Sequence, residues 1–249
     1  MTDSRVVVDG VSKSFEGENG PVRALDTVDF EVRDGELVCI VGPSGCGKTT
    51  LFRIIGGIDR ATGGDVLLSG EPVTGPTPDL GIVFQEYHLF PWRTVRGNVA
   101  FGLEQLALDG DARERRIAEM LRLVGLEGTA DSYPSQLSGG MKQRVAIARS
   151  LAVDPEFLLM DEPFGSVDAQ TRSMLHEELL DVWHETKKTI LFVTHDVEEA
   201  VTLADRIVVM TPGPGRVREI VDVDLPRPRS RTDGAFVEYR ERVRSLIRE

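Results

Sequence analysis

The stretch that most constrains this chain is residues 37–50, Leu-Val-Cys-Ile-Val-Gly-Pro-Ser-Gly-Cys-Gly-Lys-Thr-Thr. An apolar run, Leu37 to Val41, ends in Gly42, and Gly42 to Thr49 fit the pattern G-x-x-x-x-G-K-[ST]. Glycines at that spacing let successive backbone N–H groups turn inward around phosphate oxygens without Cβ clashes. A helix beginning near Gly47 would bring its positive dipole end to the same point. Lys48 can then reach the β- and γ-phosphates, and the Thr49 hydroxyl can sit on Mg²⁺. The stretch therefore predicts a strand–loop–helix that binds a nucleoside triphosphate, with Gly42, Pro43, Ser44, Gly45, Cys46, Gly47, Lys48, Thr49 and Thr50 around the phosphates.

The rest of the chain alternates in a way that suits that unit. Residues 5–11 and 22–33 carry short β-type patterns separated by the Gly-rich turn 16–20, which reads as an antiparallel layer. A helix over about 48–56, a strand over Asp65–Ser69, a proline-containing loop over 72–78 and a buried strand over Leu80–Phe84 follow. From Val95 to about Leu126 the apolar residues recur at helical spacing, as in a helical insertion. Strand–helix alternation then resumes: strands at Glu156–Met160, Thr189–Thr194 and Asp205–Met210, with helices over 169–185 and 196–204 between them. A strand near 216–223, an extended linker at Pro226–Arg229 and a terminal helix marked by Phe236, Val243, Leu246 and Ile247 complete the pattern. Apolar strands alternating with helices imply a mostly parallel sheet covered on both faces. The fold class is therefore α/β, a mostly parallel sheet carrying the P-loop, with an antiparallel β layer and a helical insertion.

Composition narrows the function. The 249 residues carry a net charge of −12, and of 29 basic residues only five are Lys, leaving 24 Arg. That balance argues against a nucleic-acid groove, which needs a basic stripe. Cys39 and Cys46 both flank the phosphate loop, where a disulfide would distort it, so two reduced thiols are expected. No apolar run approaches the roughly 18–20 residues needed to span a bilayer.

Two further stretches bear on chemistry. Phe157-Leu-Leu-Met-Asp161-Glu162 is an apolar strand ending in two carboxylates: Asp161 suits the Mg²⁺ shell, and Glu162 suits a general base for water. Leu137-Ser138-Gly139-Gly140 opens a helix in which Val145, Ala148 and Leu151 recur at helical spacing. Ser138 is a predicted N-cap, and the two glycines leave room for an anion at the free N–H groups. Two anion-receiving helix starts are more than one triphosphate needs. A head-to-tail dimer, with Ser138 of one copy closing over the phosphate loop of the other, uses both.

In order, Gly42–Thr49, Gln85, Leu137–Gly140, Asp161-Glu162, Asp168 and His195 resemble the nucleotide-binding subunit of an ATP-binding cassette (ABC) transporter, across residues 5–225. The resemblance implies a P-loop NTPase core of RecA-like type with an antiparallel β subdomain and a helical subdomain: one cassette over residues 1–249, with the helical subdomain at about 88–152 and a C-terminal strand and helix at about 213–249. It implies Phe15 as an aromatic platform for adenine, Gln85 as a Mg²⁺ contact that relays to a membrane subunit, and His195 as a γ-phosphate contact. Asp168 joins the nucleotide set, although the preceding Ser166-Val167 departs from the usual Ala-Leu. The catalytic set implied is Glu162, His195 and Lys48; the metal set is Thr49, Gln85 and Asp161; the cofactors are ATP and Mg²⁺.

The segment Tyr87-His-Leu-Phe-Pro-Trp92 resembles that of importers for nitrate, sulfonate, taurine or bicarbonate, as do Met141 and the stretch Pro212–Arg229. The partners implied are a second copy, permease subunits engaging Leu89–Trp92, and an extracytoplasmic solute-binding protein, with the chain peripheral on the cytoplasmic face of the membrane. Trp92 could alternatively pack inward. No residues remain for a regulatory or solute-binding domain, so solute choice is expected to lie in other polypeptides. A cassette ATPase acting on ribosomes or DNA is the competing reading; the single cassette and the acidic balance disfavour it.

Overall fold

The computed structural model describes residues 4–18, 20–165 and 167–248. They form two compact units, one of residues 78–188 and one of the remainder.

In the first unit, β1 (Ser4–Gly17) pairs antiparallel with β2 (Gly20–Arg33) and with β4 (Gly63–Leu68), and β4 carries the two-residue β5 (Glu71–Pro72). The expected antiparallel layer is present, with longer strands. The pairing continues through Gly17 and Gly20, so most of the Gly-rich stretch is strand rather than turn. Asn19 of that turn lies outside the described residues. Pro72 is paired rather than looped, on the outermost strand, where its missing N–H costs no ladder bond.

The same unit holds β3 (Leu37–Val41) between two parallel neighbours, β8 (Thr189–Val193) and β9 (Arg206–Met210), and β10 (Val217–Asp222) runs antiparallel along β9. Every residue of β3, β8 and β9 is buried, including Thr189 and Arg206 at the starts of β8 and β9, and the apolar runs that make up the rest are those of a parallel sheet covered on both faces. Helix α1 (Lys48–Ile55) buries Leu51, Phe52, Ile54 and Ile55.

Within the second unit, β6 (Leu80–Val83) pairs parallel with β7 (Phe157–Asp161). The helical pattern expected over 95–126 is interrupted. Helix α2 (Val95–Leu103) stops, and α3 (Gly110–Leu123) begins afresh behind Asp109, whose carboxylate accepts from Ala112 N–H. The Leu-Asp-Gly at 108–110 is a cap and restart, which apolar periodicity alone does not reveal. Helix α4 (Gly139–Ala152) packs closely on α2: a Cβ at Gly102 would stand 2.5 Å from a Val153 methyl. Helix α5 (Ala169–Thr186) completes the unit.

The first unit also contains α6 (Val197–Leu203) and α7 (Gly234–Arg248), the latter burying Phe236 and Val243. The stretch expected as an extended linker, Pro226–Arg229, is a clamp instead. Arg229 donates to Val201 O at 2.8 Å and Ala204 O at 2.6 Å, and Arg227 reaches Leu203 O and the Asp205 carboxylate. The two guanidiniums satisfy carbonyls left over at the end of α6. Burial, with Arg227 alongside, pulls the Arg229 pKa down to about 10.

Candidate functional site

The phosphate loop has the expected form in the first unit. Gly45 and Gly47 sit at φ +78° and +93°, in the left-handed region that only glycine adopts freely. A Cβ at Gly47 would lie 2.5 Å from a Leu25 methyl, and one at Gly42 would lie 2.8 Å from Cys46 Sγ. Gly47 is the N-cap of α1 and offers no side-chain acceptor, which leaves the first-turn N–H groups for an anion. Lys48 Nζ folds over the loop and donates to Gly42 O at 2.8 Å and Pro43 O at 3.3 Å. Thr49, Ser44 and Gly45 are exposed. Both cysteines are buried free thiols, as expected, and burial pushes their pKa values up.

A support for this loop is not legible in the sequence, where residues 212–215 carry only the importer resemblance. Gly215 N–H donates to Ala24 O, and Gly215 O accepts from Asp26 N–H, both at 2.9 Å. A Cβ at Gly215 would stand 2.0 Å from Cys46 O, so backbone passes directly behind the phosphate loop. Arg216 donates to Asp26, which holds that carboxyl below its usual range.

Phe15 lies opposite Val22 on the β1–β2 ladder and is 43% exposed, with the Lys13 ammonium 4.9 Å from its ring centre. It is a surface ring, not a core residue. His195 is exposed just beyond β8 and immediately precedes Asp196, the N-cap of α6.

The second unit holds the remaining residues. Asp161 ends β7 and Glu162 follows it, both half-buried, and Glu162 has φ +42°, uncommon for a residue with a side chain. Gly165 N–H donates to Glu162 O at 3.0 Å. A Cβ at Gly165 would stand 3.5 Å from Gln85 Nε2 and 3.8 Å from Glu162 Oε2. Gln85, exposed beyond β6, and Glu162 thus converge beside one small residue.

Ser138 is the N-cap of α4, as expected, and its hydroxyl accepts from Met141 N–H at 3.3 Å. The glycines behind it have packing roles that the sequence did not disclose. A Cβ at Gly140 would lie 2.9 Å from a Thr171 methyl, and one at Gly139 would lie 3.1 Å from Tyr87 Oη. Asp168 caps α5, accepting from Gln170 N–H, Thr171 N–H and Thr171 Oγ1 at 3.1, 3.0 and 2.6 Å, and the Thr171 hydroxyl lowers its pKa. Ser166 lies outside the described residues.

These donors fit magnesium and a triphosphate. In the first unit the loop offers N–H groups and one ammonium suited to phosphate, and the exposed Thr49 hydroxyl is an oxygen of the kind a hard cation takes; in the second unit, taken by itself, Asp161 and Gln85 carry oxygens of the same kind.

Residues 25–165 match the ABC transporter family. The chain belongs to that family. An uncharacterised ABC transporter ATP-binding protein of Methanocaldococcus jannaschii is 53% identical over 98% of this chain and 92% of its own length. An aliphatic sulfonates import ATP-binding protein of Bacillus cereus is 45% identical over 96% of this chain and 94% of its own. Among solved structures, a dimeric ATP-binding cassette with ADP and Pi bound superimposes with a TM-score of 0.76 at 33% identity, over 89% of this chain and all of that one. The cbiO1 protein of Clostridium perfringens, part of the transporter complex cbiONQ, gives 0.80 at 30% identity, over 89% of each chain. This ABC protein is an ATP hydrolase of P-loop α/β fold that uses ATP and Mg²⁺.

Proposed function

We propose that this chain is the energy-coupling subunit of an ABC importer for a small anion of the nitrate, sulfonate, taurine or bicarbonate class. It works as a head-to-tail pair of copies that hydrolyse ATP at their interface. The observation that carries the pairing is the glycine-rich start of α4 at Ser138–Gly140, a second helix start suited to an anion in addition to the loop at 42–49. The dimeric cassette with ADP and Pi bound and the sulfonate-import relative support the reading.

In the reading, the loop N–H groups and Lys48 hold the β- and γ-phosphates of one copy's ATP, and Ser138–Gly140 of the other copy close over them. Phe15 stacks on the adenine. Glu162 accepts a proton from the attacking water, His195 contacts the γ-phosphate, and Asp168 orders the helix beside the closed interface. Thr49, Gln85 and Asp161 would hold Mg²⁺, which would supply positive charge against the phosphates.

Membrane coupling is assigned to the segment beyond Gln85. Trp92 is 71% exposed, and Phe90 stands 5.6 Å from it and 4.4 Å from Phe101, itself 39% exposed. An exposed aromatic cluster suits a helix of a permease subunit. The chain then sits peripherally on the cytoplasmic face, with a solute-binding protein outside and no nucleic-acid partner. No helix among the described residues is long and apolar enough to cross a membrane, which suits that placement. Trp92→Ala tests it: solute uptake by the assembled transporter is lost, while the purified chain unfolds within about 0.5 kcal/mol of the parent. Normal uptake by this variant would refute the docking role.

A further inference from the structure

The segment from Gln85 to Thr94 has no regular secondary structure, yet two side chains hold it firmly. At its far end, the buried Asn98 accepts from Phe90 N–H at 2.8 Å and donates to the carbonyls of Phe90, Arg93 and Thr94. At its near end, Arg149 of α4 donates to His88 O at 2.7 Å and Tyr87 O at 3.1 Å, with its guanidinium 5.8 Å from the Phe90 ring centre. Among the described residues Arg149 makes no ion pair; its charge is spent on two loop carbonyls and an aromatic face. Burial lowers its pKa, as expected of a cation without a carboxylate.

The bond to His88 O is made where the loop is most strained, because His88 has φ +45°. Tyr87 adds a second attachment. Its carbonyl is held by Arg149, near the last turn of α4, and its hydroxyl stands at Gly139, the first residue of that helix. Ten residues of helix separate those points, about 15 Å, so Tyr87 and the Arg149 side chain together span α4 almost end to end. At its root the strand is fixed to the same helix, since Ser150 Oγ donates to Ile82 O at 2.8 Å.

We infer that Arg149 is a positioning residue that joins the Gln85–Trp92 loop to helix α4, so that the helix end receiving the second copy's ATP and the aromatic docking cluster move as one part. The inference rests on the dimer reading above and adds the residue through which the two ends are linked. A planar fork can hold two carbonyls at once where an ammonium holds one point, so lysine is an incomplete replacement.

Hydrogen exchange in the full-length Glu162→Gln chain, with and without Mg-ATP, tests this. In that parent, ATP slows exchange both at residues 138–142 and at 86–92. In Arg149→Met, slowing at 138–142 persists while amides at 86–92 exchange about tenfold faster than in the ATP-bound parent; Arg149→Lys falls between. Unchanged protection at 86–92 in both variants would overturn the inference. So would equal loss in both segments, which would make Arg149 a general support of the fold. Absence of ATP-dependent protection at 138–142 in the Glu162→Gln parent would instead overturn the dimer reading itself.

Discussion

At the scale of single residues, the phosphate loop depends on a glycine far from it in sequence. Gly215 has no room for a Cβ against Cys46 O. Gly215→Ala is expected to push the loop out of register, raising the Kd for ATP about tenfold, or ~1.4 kcal/mol. The fold itself should lose only about 1–3 kcal/mol. Nucleotide titration alongside thermal unfolding checks this, and unchanged ATP affinity would show that Gly215 does not set the loop. The contrast with Gly42, Gly45 and Gly47 explains what was legible beforehand. Those three act within one eight-residue motif, so spacing alone discloses them, whereas Gly215 acts through a contact that exists only after folding. Asp168 and Gly140 show the same limit. Each stands in a motif read for nucleotide chemistry, and each also has a local duty, as a cap on α5 and as a close approach to Thr171.

At the scale of elements, the strands and most helices were readable because burial enforces periodicity. β3 appears in the sequence as an unbroken apolar run for that reason, and β8 and β9 do so from Ile190 and Ile207 onward. Elements set by side-chain hydrogen bonds were not readable. The restart at Asp109 depends on one carboxylate, and the Pro226–Arg229 clamp depends on carbonyls elsewhere in the chain. Another such link joins β1 to the segment after α1: Lys13 Nζ donates to Asp59 Oδ1 and Arg60 O, each at 2.7 Å. The Lys13 bond holds the Asp59 carboxyl below its ordinary 3.8. A carboxylate depressed by folding contributes stability that is complete above its unfolded pKa and is lost as pH falls through the lower folded value. The Tm difference between the parent and Lys13→Met should therefore shrink as pH falls from about 6 to about 3. A difference constant over that range would mean that the bond is not electrostatic.

For the whole molecule, the account turns on the claim that one chain carries two halves of different ATP sites. The phosphate loop follows from local chain geometry, and the α4 end follows from a capped, glycine-started helix; their pairing across two copies is the reading proposed for them. The measurement that tests this most directly is size-exclusion chromatography of Glu162→Gln with Mg-ATP, read beside its hydrolysis rate. A stable dimer that appears only with ATP, with turnover down at least about a hundredfold, is the predicted result. A variant that stays monomeric with ATP bound, or that turns over like the parent, would contradict it.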